Sequence, residues 1–81
     1  IKIIPTTFRI ISPRKIEIGF LHNKDVAQLI VDPTVSTTTA LEYLFSALRS
    51  EPLGDLFYNP QKSLMYIDVR FSNKVVYKFA E

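Results

Sequence analysis

Cysteine is absent from the 81 residues, so no disulfide, thiolate nucleophile or zinc-thiolate centre can form, and the fold must rest on packing alone. A reducing, intracellular compartment, cytoplasmic or nuclear, is the expectation that follows. Glycine occurs only at Gly19 and Gly54, too far apart to build a phosphate-cradling loop. Histidine occurs only once, as His22. A transition-metal site would then have to be all carboxylate, which suits neither zinc nor copper, so neither a metal nor a cofactor is expected. His22 falls in a polar turn and reads as solvated, away from any serine nucleophile set in a G-x-S-x-G elbow. Asp25, Asp32, Glu42 and Asp55 could act as an acid-base pair only inside a cleft that pushes their pKa values apart, and a chain this short has little volume for one. A non-enzymatic role is the expectation. No apolar run approaches the roughly 18 residues that span a bilayer, and the first residues lack the order of a signal peptide, so no membrane insertion is expected.

What is present fits one folded unit. Apolar residues make up 47 % and charged residues 22 % of the chain, an ordinary globular balance far from that of disordered segments. Residues 1–81 read as a single domain, and Ile1 in place of methionine reads as the start of a piece of a larger protein. The net charge of +2 is unevenly spread. Residues 1–24 hold Lys2, Arg9, Arg14, Lys15 and Lys24 against Glu17, whereas residues 25–60 hold five acids against Arg49 alone. Basic ends bracket an acidic middle.

The segment "IKIIPTTFRIIS" is rich in isoleucine but interrupted by Pro5. It reads as an extended lead-in over residues 1–6 followed by a possible strand over 7–11. "KIEIGFL", residues 15–21, alternates Ile16, Ile18 and Phe20 against Lys15, Glu17 and Gly19, the period of a half-buried strand. After the turn residues "HNKD", the run "VAQLIVD" places Ala27, Leu29 and Val31 on one face and Val26, Gln28 and Ile30 on the other. The two runs read as a hairpin.

Leu41, Leu44, Phe45 and Leu48 then fall at i, i+3, i+4 and i+7, one stripe of a helix over about residues 38–50. Thr38 or Thr39 reads as its N-cap, and Thr39 with Glu42 fits a capping box. "LGDLFYNPQK" reads as a loop turning Leu56 and Phe57 inward. "SLMYIDVRFS" alternates Met65, Ile67, Val69 and Phe71 against Leu64, Tyr66, Asp68 and Arg70, and "VVYKFA" completes a second hairpin.

Strand, strand, helix, strand, strand is the order of a two-layer α+β domain, a mixed sheet of four to five strands against one main helix. Residues 25–50, "DVAQLIVDPTVSTTTALEYLFSALRS", resemble the ubiquitin-like β-grasp superfamily, nearest in pattern to Ras-association and Ras-binding domains, where a threonine pair caps the helix after the second strand. The resemblance implies a β-grasp with residues 25–32 at a sheet edge, and an adaptor that pairs this strand with a partner's. It further implies basic side chains near that surface, here Lys15, Lys24 and Arg14. Residues 25–32 depart from the pattern in carrying acids at both ends and no Arg or Lys between.

The expected function is therefore protein-protein interaction through a sheet edge, with Lys15, Lys24, Val26, Gln28 and Ile30 as partner-binding residues. The occupant would be another protein, the rest of the parent chain, or a second copy paired edge to edge. Residues 26–31 carry no proline or lysine to guard such an edge; the competing arrangement has the isoleucine-rich lead-in covering it. A second function class is binding of nucleic acid or another acidic surface by a basic face of Arg9, Arg14, Lys15 and Lys78. It is the less favoured one, because the positive charge is scattered and no RNA-binding aromatic signature is present.

Overall fold

The computed structural model describes residues 4–80. Along the chain run β1 (Pro5–Ser12), β2 (Lys15–His22), β3 (Asp25–Val31), α1 (Thr37–Leu48), α2 (Leu53–Tyr58), β4 (Leu64–Asp68) and β5 (Val76–Phe79). The strands form one sheet in the order β1-β2-β3-β4-β5. All neighbouring pairs are antiparallel except β3 and β4, which run parallel and are joined through the helices. This is an α+β fold with a mixed sheet. Residues 1–3 of the expected lead-in lie outside the described residues, and residues 5 and 6 belong to β1 rather than to an unpaired lead-in.

The alternation read in the sequence sets the hairpin register. Ile16, Ile18 and Phe20 stand opposite Val31, Leu29 and Ala27, so the apolar side of β2 meets that of β3 on the face that carries the helices. Asn23 and Lys24 make the two-residue turn between His22 and Asp25, with Asn23 at a φ of 57°, a left-handed conformation that asparagine tolerates. The Asn23 amide also donates to the carbonyls of Asn59 and Lys62, fastening this turn to the loop before β4.

β3 is where the structure departs from the expected arrangement. It is paired with β2 on one side and β4 on the other, and Val69 N–H extends the parallel pairing by donating to the Ile30 carbonyl at 3.0 Å. The strand expected at the edge is the middle of the sheet, so the observed order is not the one the β-grasp resemblance implied. The physical reason is the crossover: the helices return the chain beside β3 itself, consuming its outer backbone groups. The lead-in does cover an edge, but that of β2.

α1 begins one residue earlier than expected and on a different cap. Ser36 is the N-cap, and its hydroxyl oxygen accepts from Thr39 N–H at 3.1 Å. Thr37, Thr38 and Thr39 thus fill the first turn, where backbone N–H groups have no partner inside the helix. Glu42 lies a full turn too late for a capping box with Ser36. The segment expected as a loop contains α2, too short to be held by propensity. Leu53 and Phe57, one turn apart and both buried, hold it to the core.

The core joins Phe20, Ala27 and Leu29 of β2 and β3, Leu44 and Leu48 of α1, Leu53 and Phe57 of α2, and Leu64, Ile67 and Val69 of β4 and the residue after it. Leu64 and Ile67 are three positions apart, an odd interval that would place them on opposite faces of a regular strand. A bulge between Leu64 and Tyr66 resolves this: Leu64 opposes Phe79 and Tyr66 opposes Lys78, so Met65 is the extra residue and the parity flips. Met65 is left exposed instead of joining Ile67, as the alternation had indicated.

Candidate docking surface beside the edge strand

β1 contributes no residue to the buried core, and all eight of its residues are exposed. Geometry explains why. Five strands spaced about 4.8 Å apart span roughly 19 Å, whereas a helix with its side chains is about 10–12 Å wide. α1 therefore leaves one flank of the sheet bare.

On that flank Phe8 stands opposite Ile18 and Ile10 opposite Ile16, so both project to the helix-bearing side. Phe8 is 65 % and Ile10 is 69 % exposed. Phe8 with the two isoleucines of β2 and Val31 forms a floor, while Leu41 and Leu44 of α1 form a wall. Between them lies an apolar trough of about 330 Å³. Leu41 belonged to the expected core stripe, yet it is 40 % exposed here, as it faces the trough rather than the sheet centre. Phe45, a turn further on, is likewise partly exposed and borders a shallower hollow with Tyr58 and Arg49.

Charge gathers on the opposite face and at one end of the sheet. Arg9 reaches Glu17 at 4.0 Å and Arg70 grips Asp68 at 2.8 Å, while Arg14, in the turn before β2, reaches Asp32, just past β3 at the end of the trough, at 3.2 Å. Asp32 and Asp68 each accept four hydrogen bonds. Oδ1 of Asp32 accepts from the Thr34 hydroxyl at 2.7 Å and the Thr34 N–H at 2.9 Å, and its Oδ2 accepts from Arg14. The Thr34 hydrogen bonds foremost, with Arg14 adding to them, hold this carboxyl below the usual carboxylate range against the opposing effect of burial.

The expected partner-binding residues are not brought together. Ile30 is buried, at 7 % exposure, between Glu17 of β2 and Asp68 of β4. Gln28 is half-buried in the middle of the sheet, and Lys24 sits in the turn after β2. Lys15 opens β2. Val26 is exposed, but it pairs with exposed Leu21 on the face away from the helices. With β3 paired on both sides, its backbone cannot receive another strand. The alternative basic face fares no better as a cluster. Arg9 and Lys78 lie on strands at opposite edges of the sheet, and Arg9 and Arg14 each have a carboxylate partner.

His22 is the other correction. It is buried rather than solvated: Nδ1 accepts from Leu64 N–H at 3.2 Å, so Nε2–H donates to the Phe57 carbonyl. The ring links β2, the end of α2 and the start of β4, and stacks at a tilt on Phe57 with centroids 4.5 Å apart. The signal was available, because His22 continues the inward series Ile16, Ile18, Phe20.

Gly19 is explained by the same flank. It stands opposite Thr7, and a Cβ there would run into the Thr7 hydroxyl, so the glycine lets β1 approach β2. Among the described residues no group of three His, Cys, Asp or Glu side chains is placed to hold a metal ion, and no helix is long and apolar enough to cross a membrane. No protein-family model, curated protein or solved structure matches this chain.

Proposed function

We propose that this domain is a non-enzymatic protein-interaction module that binds through the free edge of β1 and the apolar trough between β1 and α1. The observation that carries the reading is the exposure of Phe8 and Ile10 on the same sheet face as the core. An outermost strand has backbone N–H and C=O groups on one side with no ladder partner, a template for another strand. Strand addition supplies affinity through the backbone, and pockets for alternate side chains supply selectivity. The matching ligand is an extended segment with apolar residues at every second position, their side chains lying beside Phe8 and Ile10 on the helix side of the sheet.

β1 carries partial protection against indiscriminate pairing. Pro5 lacks an N–H, and bulges interrupt the register between Pro5 and Thr7 and between Ile10 and Ser12. Only the short stretch between the bulges is regular, which favours a short, defined partner over open-ended aggregation. Binding of nucleic acid finds less support, since the arginines of the basic first segment are already engaged with carboxylates.

The reading is tested by titrating the labelled domain with synthetic eight-residue peptides that alternate isoleucine and threonine and following amide shifts by NMR. Shifts confined to β1, the facing residues of β2 and Leu41 are expected, and Ile10→Lys should abolish them. Binding that maps instead to Leu21 and Val26, or persists in full in Ile10→Lys, defeats it.

A further inference from the structure

We propose that the strand received by β1 is β1 of a second copy of this chain, paired antiparallel across a two-fold axis at Arg9. This rests on the interaction reading above and names its partner. In a two-fold pairing each contact is made twice, residue i against residue j and j against i, and opposed residues in an antiparallel ladder project to the same face. Phe8 and Ile10 project to the helix side, whereas Thr7 and Arg9 project to the other. The axis must therefore pass through a residue, since an axis between two would oppose side chains of different faces.

Within the regular stretch, residues 7–10, only Phe8 and Arg9 have both neighbours inside it, so two positions qualify. An axis at Phe8 would set Ile10 against Thr6, the extra residue of the first bulge, and leave the most exposed apolar side chain of the strand without a packing partner. An axis at Arg9 sets Phe8 of each copy against Ile10 of the other, giving two aromatic to β-branched pairs of a kind that stabilises sheets. The cost is Arg9 meeting its own counterpart on the far face. Each Arg9 has Glu17 at 4.0 Å within its own chain, and Arg9 is the one charge in β1, so this repulsion is offset locally. Pairing confined to the regular stretch, residues 7–10, with its apolar side chains on both copies, removes less than about 1,000 Å² in total, the range of weak and transient contacts. A weak, reversible dimer follows, populated at high protein concentration.

The absence of cysteine makes the register directly readable. Single substitutions Thr7→Cys, Phe8→Cys, Arg9→Cys, Ile10→Cys and Ile11→Cys are introduced one at a time at exposed positions, and disulfide formation is followed under mild oxidation beside sedimentation analysis of the unmodified chain. Across the axis Arg9 Cα would meet its own counterpart at about 4.5–5.5 Å, within disulfide reach. Arg9→Cys should cross-link several-fold faster than the other single variants. A mixture of Phe8→Cys and Ile10→Cys should cross-link between the two variants, with little within either. Fastest cross-linking at Phe8→Cys, or equal rates along the strand, overturns the register. A chain that stays monomeric at millimolar concentration overturns the dimer; if alternating peptides still shift the β1 amides of that monomer, the interaction reading survives, and if they do not, both fall.

Discussion

β1 carries Phe8, Ile10 and Ile11 in eight residues, and β3 carries Val26, Ala27, Leu29, Ile30 and Val31 in seven, yet every residue of β1 is exposed while Ala27, Leu29 and Ile30 of β3 are buried. β3 is the more apolar of the two, but composition alone does not leave a strand with three large apolar side chains wholly exposed. Location does: β3 has strands on both sides and lies under the helix layer, while among the described residues β1 has one neighbour and no helix above it. A strand sequence reports what its side chains would prefer, and the helix layer decides which strands obtain it. Surplus apolar surface on β1 is what remains when five strands share the cover of α1 and a short α2.

The comparison breaks most visibly at Gln28. Proline there removes a backbone donor from an interior strand, and circular dichroism should show the Gln28→Pro chain unfolded. Leu44→Ala is expected to cost about 2–5 kcal/mol, read from denaturant midpoints, because Leu44 is among the most deeply buried side chains. His22→Leu keeps an apolar bulk but strands the Leu64 N–H and the Phe57 carbonyl, at about 1–3 kcal/mol for each unpaired group.

A smaller effect depends on acid. The folded state holds the Asp32 carboxyl below its ordinary value, so the unfolded chain binds the proton first as pH falls. The stability supplied by Thr34 and Arg14 is complete above about pH 4 and is lost as pH drops through the lowered folded value. Thr34→Val should therefore lower the denaturant midpoint at neutral pH and converge with the unsubstituted protein in acid. Least affected is the bare flank: Ile10→Lys should leave stability within about 0.5 kcal/mol. A large loss there would mean that β1 is integrated into the core after all, and the contrast between the strands would collapse.

The elements whose periodicity spans many residues could be read from the sequence. The Ile16-Ile18-Phe20 alternation sits where the pattern placed it, and of the helical stripe Leu44 and Leu48 do, while Leu41 and Phe45 are exposed at its margins. The start of β4 could not be read, because one extra residue at Met65 turns Leu64 inward in its place, while Ile67 and Val69 keep the inward side the alternation gave them. α2 escaped because its two anchors, Leu53 and Phe57, gain their meaning only from the core they touch. The candidate docking surface was missed for a related reason. Which strand is outermost depends on where the crossover returns, and no residue in 25–32 encodes that. The alternation of Phe8 and Ile10 was visible, but not that it would lie beyond the reach of α1.

The return of the chain through the helices also sets an order of opening. Leu29 faces Ile67 across thirty-eight positions of sequence, whereas the β1–β2 and β2–β3 turns each close over a few residues. Closing the longer loop costs roughly 2 kcal/mol more chain entropy, and it is repaid only when the helices dock at the same time. The parallel pair and the helix layer are thus one cooperative unit, while β1 hangs on a single ladder at its margin. Native-state hydrogen exchange should accordingly be slowest at the amides linking β3 to β4, approaching the global unfolding free energy. The amides of β1 should exchange through local fraying far below it, leaving that strand available for pairing without any unfolding of the rest.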